Sequence, residues 1–391
     1  MMKAPNSLRT MPSPYEDYAA LRRACPVLHD SANDVWIVSR HADVRAVLRQ
    51  HRQFSSSVLA HDSFEIRSPH DGAVLGSEET LLASGSPRHD TLRAHVARLF
   101  APARLAACEA AARDELDRVV ARLMGRERFE VVRDVCAPVT AAVMAALLGL
   151  DASWHPQVAR WLRVSGECNA RSRPDTLRAA FEAMLDEIWH AATHCADAGL
   201  GTFMAACRDG GIDARHVIDL AVTLLKGGAD TTTFLVGNVL ALLAEWPDLM
   251  ARVREDPASV PALIEESLRL DSPVQLTVRL STAETELAGV RIPAGARVLL
   301  LLGSANRDEA VFEDAGDVRP GREARSHLAF GAGPHRCPGV ALARMQGALI
   351  VQALVGRLPD YRVTPEGAEE TELRALRGFK RIDVEFVAPH R

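Results

Sequence analysis

The stretch Phe330-Gly331-Ala332-Gly333-Pro334-His335-Arg336-Cys337-Pro338-Gly339 places one cysteine at the close of a glycine-punctuated loop. Pro338 and Gly339 open a run, Val340 to Leu358, whose apolar content predicts a long helix. A thiolate at Cys337 is then surrounded by backbone N–H groups and the positive end of that helix, which both favour S⁻ over SH. Glycines at 331, 333 and 339 let the backbone curl around the sulfur and a bulky, flat partner. A cysteine taken alone is more often a small buried hydrophobe. In this setting it suits a thiolate that keeps its charge while bound to iron.

Upstream, Asp213 to Trp246 reads as one very long helix, roughly 50 Å at about 1.5 Å per residue. Its middle, Lys226-Gly227-Gly228-Ala229-Asp230-Thr231-Thr232-Thr233, opposes helix formation. Each interior glycine costs roughly 1 kcal/mol against alanine, and the threonines add tenths each. A ligand lying against the backbone explains such a departure, as does a local bulge that frees a carbonyl. A kinked core helix packed through its glycines explains it equally.

Taken together, these two motifs resemble those of the cytochrome P450 family, and the resemblance runs from about residue 15 to 387. The cysteine loop resembles the family's haem-binding loop, with Cys337 at the axial ligand and Phe330, Gly331 and Gly339 beside it. The helical motif resembles the family's oxygen-binding stretch, with Gly227 and Gly228 as the small pair, Asp230 as the acid and Thr231 as the alcohol. The chemistry accounts for these types. A hydroxyl fed by a carboxylate that reaches solvent can deliver protons to bound dioxygen without flooding the pocket, while an electron-rich thiolate pushes from the opposite face. Asp230 and Thr231 are expected to relay protons.

Further positions follow from the resemblance. His89, Arg93, Arg279 and His335 are expected to hold the two haem propionates through charge-assisted hydrogen bonds. Glu266 and Arg269, three apart on a helix predicted over Pro261 to Leu270, match the Glu-x-x-Arg element that braces the haem-side core. The family's usual Arg-Phe before the haem loop is missing. Asp317-Val318-Arg319 stands there, and Arg319, Arg322 or Arg325 could complete the network. Gln346 stands where related sequences often place glutamate. Arg336 with Arg98, Arg104 and Arg344 could form a basic patch on the thiolate side for an acidic ferredoxin. Lys226 occupies a position that is usually apolar. It either pairs with Asp230 one turn away or anchors a carboxylate or carbonyl of the substrate. Thr223, Lys226, Gln275, Leu276 and Leu376 are expected to border the substrate, with parts of His61 to Leu82 and Trp161 to Arg173.

Composition agrees with this reading. The chain has 391 residues, a formal net charge of −5 and 48% hydrophobic content, enough for a large core and too acidic for a nucleic-acid footprint. Its seven cysteines are scattered and form no CxxC or Cys/His cluster, which fits a reducing cytoplasm and excludes zinc and a disulfide framework. The polar, proline-rich start reads as a flexible segment over residues 1–14, with no apolar stretch for a signal peptide or membrane span.

Helices are predicted over Tyr15 to Cys25, His41 to Gln50, Arg88 to Phe100, Ala103 to Met124 and Pro138 to Gly149, with two more between Trp154 and Cys195. Strands are expected at Val35 to Val38, Val274 to Leu280, Glu286 to Ile292 and Arg297 to Leu302, and an irregular stretch over Ser55 to Ser86. The fold class is mainly α with a small β portion, one domain over 1–391, with haem between the long central helix and the cysteine-loop helix. The resemblance implies a haem b (iron protoporphyrin IX) monooxygenase that uses O2. It would hydroxylate or epoxidise a medium-sized, mostly apolar terpenoid, steroid or polyketide-type molecule. No flavin or iron–sulfur motif is present, so electrons are expected from a separate ferredoxin and its reductase, and the chain is expected to act as a monomer. A peroxide-driven enzyme of the same fold is the alternative, followed by a non-catalytic haem- or partner-binding protein.

Overall fold

In the computed structural model, residues 8–9, 11–58, 66–67, 73–75, 80–167, 175–194, 200–322, 326–358 and 361–386 are described. Thirteen helices among them are α1 (Tyr15–Ala24), α2 (His41–Arg49), α3 (Arg88–Leu99), α4 (Pro102–Leu123), α5 (Ala137–Leu148), α6 (His155–Glu167), α7 (Asp175–His194), α8 (Leu200–Asp209), α9 (Ala214–Glu245), α10 (Pro247–Glu255), α11 (Val260–Leu270), α12 (Leu302–Ala305) and α13 (Val340–Gly356). Strands β1 (Val27–Asp30), β2 (Val35–Val38), β10 (Arg297–Leu301), β7 (Leu276–Ser281) and β3 (Phe54–Ser55) form a five-stranded sheet in that order. β11 (Tyr361–Glu370), β12 (Phe379–Phe386) and β6 (Arg128–Glu130) form a second sheet, and two hairpins pair β4 (Ile66–Arg67) with β5 (Ala73–Leu75) and β8 (Thr285–Leu287) with β9 (Val290–Ile292).

The core explains why α9 carries apolar residues on most of its faces. It packs against α5, α6, α11 and α13, and buries Leu225, Leu235, Val236, Val239 and Leu240 almost completely. α13 buries Val340, Leu349, Ile350, Val351 and Leu354 against it. Gly149 ends α5 in the left-handed region (φ +70), where an L side chain is strained. The helix expected from Asp213 to Trp246 is found over Ala214–Glu245, unbroken through its glycines.

Several elements differ from the sequence reading. The single β segment expected over 286–292 is a hairpin, turned at Ala288 and Gly289 with φ +50 and +80. β1 and the β11–β12 pair were not expected. β11 contains Pro365 and Gly367, which break the alternating pattern of a strand, and its register shifts beside them. The N-terminal segment expected to be flexible is partly anchored, since Leu8 is 1% exposed and Arg9 lies in a buried ion-pair nest. Half of the stretch expected to be irregular, 55–86, lies outside the described residues, at 59–65, 68–72 and 76–79.

Candidate active site

The cysteine loop is built by its glycines. Gly331 and Gly333 have φ of +68 and +72. A Cβ on Gly333 would come within 2.3 Å of the Leu48 carbonyl at the end of α2, so the loop lies directly on that helix. Cys337 N–H donates to the Phe330 carbonyl at 2.9 Å, closing the loop, and Ala343 N–H donates to the Gly339 carbonyl at 2.8 Å as α13 begins. A Cβ on Gly339 would sit 3.8 Å from Cys337 Sγ, in ordinary contact, so the thiol and this glycine are neighbours.

Cys337 is exposed by surface area yet desolvated by the protein around it. Burial pushes its thiol above the ordinary value, while the Gly339 N–H, Arg93 and Arg336 pull in the other direction. The expected stabilisation of the thiolate is therefore present but weaker than desolvation in the protein alone. A bound metal reverses that balance, because a coordinating thiol is deprotonated outright.

The four residues expected at the propionates converge on the same place. His89, 3% exposed, stacks against His335 with ring centroids 4.1 Å apart. Burial, then His89, Arg279, His51 and Arg93, pushes His335 down to about 3. Arg279 is 5% exposed and lowered to about 10 by burial, which leaves it charged at neutral pH. Its guanidinium donates only to Thr277 Oγ1 and the Val278 carbonyl. Among the described residues neither Arg93 nor Arg279 has a carboxylate partner, and Asp90, at 3.2 Å from His89 Nδ1, is the acid at the edge of the group. Buried cations without anions are costly. A dianionic group with a flat apolar body, facing a cysteine ligand, fits these residues.

The middle of α9 uses its two glycines differently. A Cβ on Gly227 would meet nothing within 4 Å, whereas one on Gly228 would come within 3.0 Å of Met144 Sδ on α5. The first borders open space and the second a close helix contact. Thr231 Oγ1 donates to the Gly227 carbonyl at 2.5 Å. Burial raises the Asp230 carboxyl above its usual range, and Lys226 and Lys380 oppose it. Asp230 rests on Gly166 near the end of α6, where a Cβ would lie 3.3 Å from Oδ1. Gly166 was not singled out from sequence. A glycine in the Ser165-Gly166-Glu167 context carries no signal until the packing partner is known.

The substrate-bordering candidates separate. Thr223, Lys226, Leu276 and Leu376 are half-buried, and Leu376 bridges to Val274. Gln275 is 2% exposed and turns inward, its Nε2 donating to the Ser272 carbonyl at 2.8 Å and to Tyr15 Oη at 3.3 Å. It abuts Gly303, where a Cβ would meet its amide oxygen at 2.1 Å. Residues 61–65, 68–72, 76–79 and 168–173 of the remaining candidate segments lie outside the described residues.

The brace beneath the site is fully buried. Arg269 donates to both Glu266 oxygens at 2.9 and 2.8 Å, and to the carbonyls of Asn306, Ala315 and Asp317. Arg322 completes the network, its Nε donating to Glu266 Oε1 at 3.0 Å. Arg319 gives only its backbone N–H to that oxygen and turns its side chain to Asp314. Arg325 lies outside the described residues. Of the basic-patch candidates, Arg98 and Arg336 are exposed, Arg104 donates to the Ala146 carbonyl, and Arg344 is bound by Glu265 through two contacts of 2.6 Å. Gln346 is buried and donates to Thr140 Oγ1 at 2.6 Å.

Comparisons with known proteins converge on one family. The profile described as cytochrome P450 matches residues 187–379. Cytochrome P450 130 of Mycobacterium tuberculosis is 31% identical over 374 residues, covering 90% of each chain. The 6-deoxyerythronolide B hydroxylase of Saccharopolyspora erythraea is 30% identical over 391 residues, covering 95% of each. The crystal structure of CYP109E1 from Bacillus megaterium in complex with corticosterone superposes with a TM-score of 0.83 at 26% identity, covering 95% of this chain and 98% of that one.

Proposed function

The chain belongs to the cytochrome P450 family and is a haem-dependent monooxygenase, and from that premise we propose that it hydroxylates a medium-sized, mostly apolar molecule with oxygen substituents, of the steroid or polyketide type. Two similar proteins support that substrate class, one named for hydroxylating 6-deoxyerythronolide B and one solved with corticosterone. The observation that carries the assignment of the site is the acid-poor cluster of His89, Arg93, Arg279 and His335 beside Cys337. Cys337 would bind the iron of a haem b, and the cluster would hold its propionates. When bound, the haem supplies activation of O2, which the thiolate promotes.

The chain's own residues govern protons and access. Asp230, its carboxyl raised by burial, holds a proton nearer neutral pH than an exposed aspartate does. It passes that proton to Thr231, whose hydroxyl must first leave the Gly227 carbonyl. Gly227 keeps the helix face clear of side-chain atoms. Lys226 meets a carbonyl or carboxylate of the substrate, beside Thr223, Leu276 and Leu376. Electrons come from a ferredoxin that docks over exposed Arg98 and Arg336, and the enzyme works as a monomer.

A spectral binding screen with steroids and macrolactones tests the substrate class. The expected result is displacement of the iron-bound water by members of one of these classes, followed by a singly oxygenated product when ferredoxin and reductase are added. Binding confined to small polar molecules contradicts it.

A further inference from the structure

Arg9 is buried and Tyr15 half-buried, and both are bonded to Asp271, five residues before Leu276. Arg9 reaches Asp271 and Asn238 with one nitrogen and Glu370 with another at 2.7 Å, and its guanidinium covers the Phe379 ring. Tyr15 Oη donates to Asp271 Oδ1 at 2.5 Å, and the Arg307 guanidinium stacks on its ring at 3.6 Å. Arg377 Nε donates to the same Asp271 oxygen at 2.6 Å. Asn238 of α9 ties the group together, its Nδ2 donating to the carbonyls of Asp271 and Arg377.

Asp271 and Arg377 belong to two turns joined edge to edge. Gln275 N–H donates to the Ala375 carbonyl at 2.9 Å, Arg377 N–H donates to the Pro273 carbonyl at 2.8 Å, and Val274 bridges to Leu376. Gly378 closes the second turn against Phe234 of α9, where a Cβ would meet Phe234 Cβ at 2.2 Å and its ring at 2.3 Å. Leu276 follows the first turn directly, Leu376 lies in the second, and both are half-buried. The underside of the joined pair is held by Arg9, by Tyr15 and by the Gln275 amide, which itself reaches Tyr15 Oη.

We propose that the N-terminal strap, through Arg9 and Tyr15, positions these two turns and so sets which molecules the pocket accepts. The proposal rests on the assignment of Leu276 and Leu376 as substrate-bordering residues. Neither Arg9 nor Tyr15 touches the substrate; both act through Asp271 and Arg377. Asp271 and Arg377 stay ionised over the working pH range, because the guanidinium groups and Tyr15 hold Asp271 well below the usual carboxylate range while Asp271 holds Arg377 above its own. Small displacements matter at such positions, since about 1 Å of misplacement can cost on the order of a hundredfold in turnover.

Tyr15→Phe removes one hydroxyl and Arg9→Leu one guanidinium, and two iron-binding probes read the consequence. Imidazole reaches the iron without touching the turns, whereas clotrimazole must fill the pocket above it. Both variants are expected to bind imidazole within about twofold of the parent and clotrimazole at least about fivefold differently. If Arg9→Leu does not fold, Tyr15→Phe alone decides. An unchanged clotrimazole-to-imidazole ratio overturns the proposal. Loss of the thiolate signature in the reduced CO complex of the parent protein overturns the haem assignment instead, so the two failures are distinct.

Discussion

The proposed relay asks most of Asp230, whose carboxyl is raised by burial and which in that proposal keeps a proton in reserve without admitting water. Asp230→Asn keeps the shape and removes the titration. It should lower coupled turnover by roughly a hundredfold or more while leaving spectral substrate binding intact, measured as product formed per electron pair consumed. Full coupling in the variant contradicts the relay. The brace offers a second contrast. Arg322→Ala removes a donor from the wholly buried Glu266 and should cost about 1–3 kcal/mol. Arg319→Ala removes exposed pairs with Asp314 and Asp317 and should cost less than about 1 kcal/mol. Urea unfolding of the two variants checks the difference. The family resemblance pointed to Glu266 and Arg269, but it left three arginines open, because the partner is chosen by how the loop at 313–322 wraps back over α11.

At the scale of elements, α9 carries the argument. Its adjacent glycines face different surroundings, so the same substitution should act differently at each. Gly227→Ala meets no protein atom and should gain up to about 1 kcal/mol of helix stability while weakening ligand binding, since the new methyl enters the open space. Gly228→Ala drives into Met144 and should lose that gain. Thermal denaturation with ligand titration separates the two, and equal behaviour contradicts the assignment of the open face. Helices were legible because their apolar periodicity is long: α9 and α13 were placed to within a residue or two. The β11–β12 sheet was not, because Pro365 and Gly367 interrupt β11, and β6, which pairs with β12, is distant in sequence. Gly166 was invisible for the same reason, since its role exists only once α6 lies against Asp230.

Across the whole molecule, the buried polar groups decide how stability responds to pH. Asp219 is 2% exposed, and burial raises its carboxyl to about 8 against the opposing pull of the Leu81 N–H, Arg88 and Lys226. The folded chain therefore keeps a proton that the unfolded chain releases above about pH 4. Its contribution is fully present below that pH and declines as pH rises towards 8, by about 1.4 kcal/mol per unit at most. Asp219→Asn should flatten this decline, and identical slopes of melting temperature against pH for the two proteins contradict it. The mainly helical architecture was readable from apolar patterning, and the grouping of Cys337 with His89, Arg93, Arg279 and His335 was expected from the family resemblance. The anchoring of Arg9 and Tyr15 was not, because a polar, proline-rich start gives no sign of burial. The central claim, an iron porphyrin bound through the sulfur of Cys337, is tested most directly by the absorption spectrum of the reduced protein under carbon monoxide. The parent should show the long-wavelength band of thiolate ligation, and Cys337→Ser should lose it. A protein that takes up no haem, or a band that survives the substitution, contradicts the account.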